Sequence, residues 1–218
     1  HVVCRRQRQM CIRDRVAIVQ IDIKKLIAYS SISHMGFVML GISAGRFLSL
    51  EGAVIQMINH GITSGALFML VGFIYDRRHT RRISDFGGLK QSMPIYAGVF
   101  LFTSFASIGL PGLNGFVGEF MILMGSFPTF QFLSSIAAFG VVLAAIYMLW
   151  AYQRMFNGKL IHEENKEIHD LNSKEIVAVA PLLLLMLFIG IYPSFIESYV
   201  LQDVSVIYES INNILGES

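Results

Sequence analysis

Three side chains able to exchange a proton near neutral pH stand in otherwise apolar stretches: His34 in SISHMGFV, His60 in IQMINHGI and Glu119 in FVGEFMIL. An imidazole titrates near pH ~6.5, and a carboxyl group withdrawn from water is driven upward toward the same range, so both can gain and lose protons at physiological pH. Such groups are costly in a membrane. A charge near the centre of a spanning helix costs roughly 2.5–3.5 kcal/mol on insertion scales, so they face a protein interior or a water-filled cavity. A single buried histidine is equally well explained by one hydrogen bond between packed helices. Three ionisable groups in one short chain argue instead for a proton relay. The hydroxyls of Ser30, Ser31, Ser33, Thr63, Ser64, Ser104 and Ser107 could carry a hydrogen-bonded water path, although Ser and Thr are also ordinary packing residues in membrane helices.

Glu119 follows a segment that should interrupt its helix: Gly109-Leu-Pro-Gly-Leu-Asn-Gly115. Pro111 removes a donor, while Gly109, Gly112 and Gly115 tolerate unusual backbone angles, leaving peptide groups that water or neighbouring helices must satisfy. Discontinuous helices of this kind build ion sites in transporters, and Glu119 lies four residues, one helical turn, beyond Gly115. The alternative is a merely kinked helix with Glu119 paired to a lysine elsewhere. Gly61 and Gly65 form a small-xxx-small pair next to His60, which would let another helix approach closely.

A second cluster of polar residues invites a metal reading, since HEENKEIHD brings His162, Glu163, Glu164, His169 and Asp170 close together. The two histidines are seven positions apart, without the helix-face pairing of zinc proteases. A run of mixed charge is ordinarily a solvated face. No metal site is expected there. Nor is there a glycine-rich dinucleotide fingerprint or a cysteine set suited to an iron–sulfur cluster. No cofactor is therefore expected in this chain.

The elements that must position these groups follow from composition. Of 218 residues, 54% are hydrophobic and 15% charged, with a mean hydropathy of +0.59, whereas soluble domains carry ~25% charged residues. The charges gather between apolar stretches that approach the ~20 residues of a spanning helix. Five stretches qualify: Leu26–Ile42, Gly52–Tyr75, Pro94–Met124, Phe132–Tyr152 and Ile176–Tyr192. The fold expected is all-α, a polytopic transmembrane helical bundle of five spans with the third discontinuous. Pro94 suits a first helical turn, Pro128 a turn and Pro193 a helix end.

Loop charges set the orientation, because basic residues concentrate on the cytoplasmic side of short loops. Lys24, Lys25, Arg77, Arg78, Arg81, Arg82, Lys90, Arg154, Lys159, Lys166 and Lys174 fall on one side of a five-crossing chain, and Arg46 on the other. The C-terminus is thus expected on the periplasmic (or intermembrane) side of a bacterial (or mitochondrial) inner membrane. Residues 197–218 carry apolar side chains at near-helical spacing, Val200, Leu201, Val204, Ile207, Ile211 and Ile214, which fits either a helix on the membrane surface or a frayed tail.

The first fifteen residues, HVVCRRQRQMCIRDR, hold both cysteines and five of the seventeen basic residues. They read as a non-native, adaptor-like tail rather than as a basic arm for anionic lipid. Without them the formal charge of +2 becomes −2, twelve basic residues against fourteen acidic, and nucleic-acid binding loses its compositional support. Residues 16–196 then form the membrane domain.

Four linked blocks carry a resemblance: DIKKLIAYSSISHMGFV from Asp22, GAVIQMINHG from Gly52, YDRRHTRRISDFGGL from Tyr75 and GLPGLNGFVGEFMIL from Gly109. From about Val16 to beyond Pro193 the chain resembles the antiporter-like M subunits (chain 4) of respiratory NADH:quinone oxidoreductase. The resemblance implies the last five helices of a longer proton-translocating subunit, driven by quinone reduction elsewhere. It implies flavin, iron–sulfur clusters and quinone in partner subunits, and neighbouring antiporter-like subunits of the complex as partners. His34 matches the family's SHMG histidine, His60 its HG histidine and Glu119 its GEF acid. By that match the histidines are intermediate carriers, and Glu119 the site beside the exit. The family's earlier half, with its own broken helix, is not present, so this portion alone is not expected to pump. Sibling subunits and the large subunits of multisubunit sodium/proton antiporters usually have lysine at Glu119, and many have lysine at Ser64; a membrane-bound hydrogenase subunit stays an alternative that these two positions do not exclude. A scaffold without proton chemistry would tolerate apolar residues at His34, His60 and Glu119.

Overall fold

Asp22 starts the first helix because its carboxylate accepts the backbone N–H of Lys24 at 2.8 Å and of Lys25 at 3.2 Å, satisfying donors that have no partner inside the helix. Helix α1 then runs Ile23–Ala44 and ends at Gly45, whose φ of 64° turns the chain straight into α2, Phe47–Arg78. These belong to a computed structural model that describes residues 20–160 and 162–215. The stretch 1–15, set apart above as adaptor-like, lies outside the described residues. Helices α3 (Pro94–Ser107) and α4 (Asn114–Ser126) follow, then α5 (Gln131–Phe156), α6 (Ser173–Ile191) and α7 (Ser194–Leu215). Among the described residues there is no strand, only an isolated bridge between Asp22 and Arg82.

Four of these helices, α1, α2, α5 and α6, are long and apolar enough to cross a membrane. The expected segment Pro94–Met124 is two helices of 14 and 13 residues, each too short to span alone. The stretch 108–113 separates them. Three of the other expected spans fall inside longer helices, and the last, Ile176–Tyr192, runs one residue past the end of Ser173–Ile191; α2 has 32 residues, about 48 Å, well beyond the ~30 Å hydrocarbon core.

Helix α2 is the central element, packed against α1, α3, α4, α6 and α7. Towards the basic end of the bundle, the fully buried rings of Tyr96, Phe100, Tyr147 and Phe156 make the largest apolar cluster, and the Tyr96 hydroxyl donates to the Leu70 carbonyl at 2.9 Å. The periphery is apolar too: Phe132, Phe139, Val177, Leu184 and Ile191 are each more than 60% exposed, as lipid contact requires and water would not favour.

The mixed-charge loop acts as a clamp on the helix ends. Arg77 makes a bidentate pair with Glu175 (2.7 and 2.6 Å) and also donates to the carbonyls of His169 and Asp170. Asp170 accepts the N–H groups of Ile95 and Tyr96 at 2.7 and 3.0 Å, capping α3, whose first residue is Pro94. Glu164 pairs with Arg78, Glu163 with Lys166, and His162 Nε2 contacts the Ser84 carbonyl. Pro128 lies in the turn after α4, and α6 ends at Tyr192, before Pro193. The C-terminal segment is helical: α7 seats Val200 and Val204 against Leu50 and Ile55.

Candidate functional site

Helix α2 carries a polar stripe through its apolar length: Gln56, Asn59, His60, Thr63 and Ser64, the i, i+3, i+4, i+7, i+8 pattern of one helical face. Opposite it, α1 presents Ser31 and His34, α3 ends at Ser107, and α4 offers Asn114 and Glu119. These side chains meet around the interruption between α3 and α4.

The interruption is built from the residues that the sequence marks for it. Gly109 (φ 73°) and Gly112 (φ 90°) take left-handed conformations open to glycine, with Pro111 between them. Gly109 also has to be bare: a Cβ there would stand 2.6 Å from Glu119 Oε2. The unwound backbone is satisfied locally, Leu110 N–H donating to Phe105 O at 3.1 Å and Leu113 N–H to Leu110 O at 3.0 Å. Across the helix pair, Asn59 Nδ2 donates to Asn114 O at 2.7 Å and Asn114 Nδ2 to Asn59 O at 3.3 Å, pinning α4's start to α2. Gly115 sits in the first turn of α4 against the last turn of α3, where Ala106 O leaves no room for a side chain. Gly190 of α6 packs on Gly112 and Leu113 and closes the break from outside.

His34 and Glu119, 85 residues apart, come together here. His34 Nδ1 lies 2.9 Å from Glu119 Oε1, and the two side chains are only 6% and 5% exposed. Gln56 Nε2 donates to the same carboxylate oxygen at 3.4 Å, and Ser107 Oγ is 3.5 Å from His34 Nε2. The half-buried His60 ring lies with its centroid 5.8 Å from that of His34. Ser31 Oγ reaches His60 Nε2 at 2.6 Å, and Ser64 Oγ reaches it at 3.0 Å. His34 thus touches Glu119 directly and neighbours the His60 ring, with the Ser31 and Ser64 hydroxyls on His60 and that of Ser107 on His34; no described hydroxyl bridges the two histidines. A proton on His34 Nδ1 can pass to the carboxylate without rearrangement, leaving a neutral imidazole and a carboxylic acid.

The other serine and threonine candidates divide. Ser31, Ser64 and Ser107 touch the histidines, while Thr63 and Ser104 donate to carbonyls of their own helices. Ser30 and Ser33 are buried on α1. No atom among the described residues lies within 4 Å of where a Cβ would stand on Gly61 or Gly65. The close helix approaches are instead at Gly52 and Gly118, where α2 meets α4.

Gln56, Asn59 and Asn114 were missed by counting only ionisable residues, although the stripe on α2 was readable. Buried acceptors without a hydrogen-bond partner among the described residues, Gln56 Oε1, Asn59 Oδ1 and Asn114 Oδ1, line the same region and suit bridging water. Glu51 was missed for a different reason: the expected span began at Gly52, one residue too late, so a nearly buried carboxylate counted as a loop residue.

Comparisons with known proteins place this geometry. Residues 9–146 match the family model for the transmembrane region of NADH:quinone oxidoreductase and Mrp antiporters; that match begins inside the stretch 1–15. The chain is 45% identical over 201 residues to NADH-quinone oxidoreductase subunit M of Rhodobacter capsulatus, covering 92% of this chain and 39% of that protein. It therefore spans about two fifths of the length of the curated relative. Among solved structures, it superposes on a chain of respiratory complex I from Thermus thermophilus with bound NADH at a TM-score of 0.82 and 31% identity, covering 93% of this chain and 42% of that one. An Mrp complex chain from a Dietzia species shares the fold, with a TM-score of 0.84 at 18% identity and 98% and 48% coverage.

Proposed function

From a chain that belongs to the NADH:quinone oxidoreductase/Mrp antiporter transmembrane family, as an M-type subunit, we propose a proton-translocating segment of an NADH:quinone oxidoreductase. The observation that carries it is the buried contact of 2.9 Å between His34 Nδ1 and Glu119 Oε1 beside an interrupted helix. Protons pass from His60 through the Ser31 and Ser64 hydroxyls and water to His34, and then to Glu119. The transfer from His34 to Glu119 is a direct hydrogen-bonded exchange, while the step between the two histidines runs through water, so the relay needs only that the groups gain and lose protons in turn. The 45% identity to an M subunit, against 18% to the Mrp chain, supports the oxidoreductase reading over a cation/proton antiporter.

In this reading α3 and α4 cross together as one discontinuous span, giving five crossings, with the Arg77 end cytoplasmic and α7 on the positive side of a bacterial or mitochondrial inner membrane. The chain supplies no redox group; flavin, iron–sulfur clusters and quinone belong to partner subunits, and neighbouring antiporter-like subunits flank it. Quinone reduction there drives the proton movement here. The helices preceding these five in the whole subunit complete the entry path, and this portion alone does not pump.

The test places Glu119→Gln in the full-length subunit and measures proton uptake by membrane vesicles given NADH, with assembly checked on a native gel. The expected result is loss of pumping and of coupled NADH oxidation in an assembled complex. Undiminished pumping would reduce Glu119 to a structural acid and return the scaffold reading.

A further inference from the structure

The relay needs a way out, and α2 holds a second carboxylate on that side. Glu51 lies five residues before Gln56, about 7.5 Å along the helix axis toward the Arg46 end. It is only 5% exposed, yet no described residue donates a hydrogen bond to it. Glu51 lines a cavity of about 550 Å³, together with Gly112 and Phe116 beside the helix break and Glu197 and Leu201 from α7. The cavity has room for on the order of ten waters. Among the described residues, the two carboxylates are the only charged groups lining it.

We infer that Glu51 and Glu197 form the proton-release site, receiving protons that leave Glu119 and delivering them to the aqueous face at the Arg46 end. This rests on the relay reading above. Gln56 is the hinge of the route: its amide nitrogen contacts Glu119, while its buried oxygen has no partner among the described residues and can accept from water. Gln56 and Glu51 stand about 140° apart around α2 as well as about 7.5 Å along it, so several waters must join them. In the transfer, the Glu119 carboxylic acid becomes a carboxylate and the Glu51 carboxylate becomes an acid, which then passes its proton to Glu197 and bulk water. Burial falls in that order: Glu119 is 4% and Glu51 5% exposed, whereas Glu197 is half-buried. The seating of Val200 and Val204 on α2 gives α7 a task, since it holds Glu197 over the cavity mouth.

Four variants of the full-length subunit in the assembled complex test this, with proton uptake and NADH oxidation measured in the same inverted vesicles, whose lumen holds the release face and is set to several pH values. Glu51→Gln should lower protons moved per NADH about tenfold, less than the roughly hundredfold typical for a positioned proton carrier, because cavity water offers a bypass. Glu51→Asp should restore most of the loss, a rescue that a packing role would not show. Glu197→Gln should leave the maximal rate nearer normal but shift its dependence on lumenal pH. Should Glu51→Gln fail to assemble, Glu51→Asp and Glu197→Gln carry the test, and an unshifted pH dependence in both overturns the proposal. Normal pumping by all Glu51 and Glu197 variants, with Glu119→Gln inactive, would place the exit elsewhere and leave the relay standing. Normal pumping by Glu119→Gln as well would remove the relay itself.

Discussion

Gly118 precedes Glu119 where α4 crosses α2, and the Gly118→Ala variant tests whether that spacing holds the site together. A Cβ at Gly118 would lie 2.9 Å from both Cα and Cβ of Gln56. Carbon atoms prefer 3.5–4.0 Å, so the helices must separate by roughly 0.6–1.1 Å. Overpacking of this kind costs about 1–3 kcal/mol. The Gln56 Nε2 to Glu119 Oε1 contact, already 3.4 Å, would pass out of hydrogen-bonding range at a further ~1 kcal/mol. Against this, alanine gains ~1 kcal/mol over glycine in a helix. The net loss is about 1–3 kcal/mol, a roughly 5- to 150-fold shift in the folded population. The same substitution at Gly98, where no atom of the described residues beyond its own helical turn lies within 4 Å of the added methyl, should be neutral or stabilising by up to ~1 kcal/mol. Unfolding both variants of the 218-residue chain in nanodiscs with denaturant provides the comparison. Equal midpoints for Gly118→Ala and Gly98→Ala would refute the claim that bare glycine sets the approach of α4 to α2.

Two predictions concern the basic end. Asp170→Ala removes the acceptor for the Ile95 and Tyr96 N–H groups, so α3 should lose about 0.5–2 kcal/mol, read as faster hydrogen exchange in its first turn. The Asp85 carboxyl is held below the usual carboxylate range, chiefly by the hydrogen bond from Thr80 Oγ1 at 2.5 Å. A depressed folded value means that its stabilisation is present above the unfolded value and is lost as pH falls through the folded one. Stability should therefore drop on acidification below the ordinary aspartate range, and less steeply in Thr80→Val; identical acid limbs in the two proteins would contradict the assignment.

The sequence by itself determined the class of the molecule and the type of chemistry. Apolar runs long enough to span a bilayer leave only closed backbone hydrogen bonding, hence helices, and the segment Gly109 to Gly115 favours an interruption because Pro111 lacks a donor while Gly109 and Gly112 admit the left-handed turns that end one. His34, His60 and Glu119 were legible because ionisable groups in apolar stretches are too costly to be incidental. Periodicity places the ends of such helices only approximately: α2 begins at Phe47 rather than Gly52, and that shift decided whether Glu51 counted as buried. Residues 197–218 read as helix or frayed tail with equal right, because an amphipathic segment folds only when something covers its apolar face; Leu50 and Ile55 do so. The partner of each proposed proton carrier was beyond reach as well. His34 and Glu119 are 85 positions apart, and which side chain faces which across two helices depends on their crossing and register. Both depend on bare glycine surfaces, Gly41 of α1 against Ser49, Ala53 and Ile122, and Gly52 and Gly118 between α2 and α4, whose packing exists only once the three helices stand together.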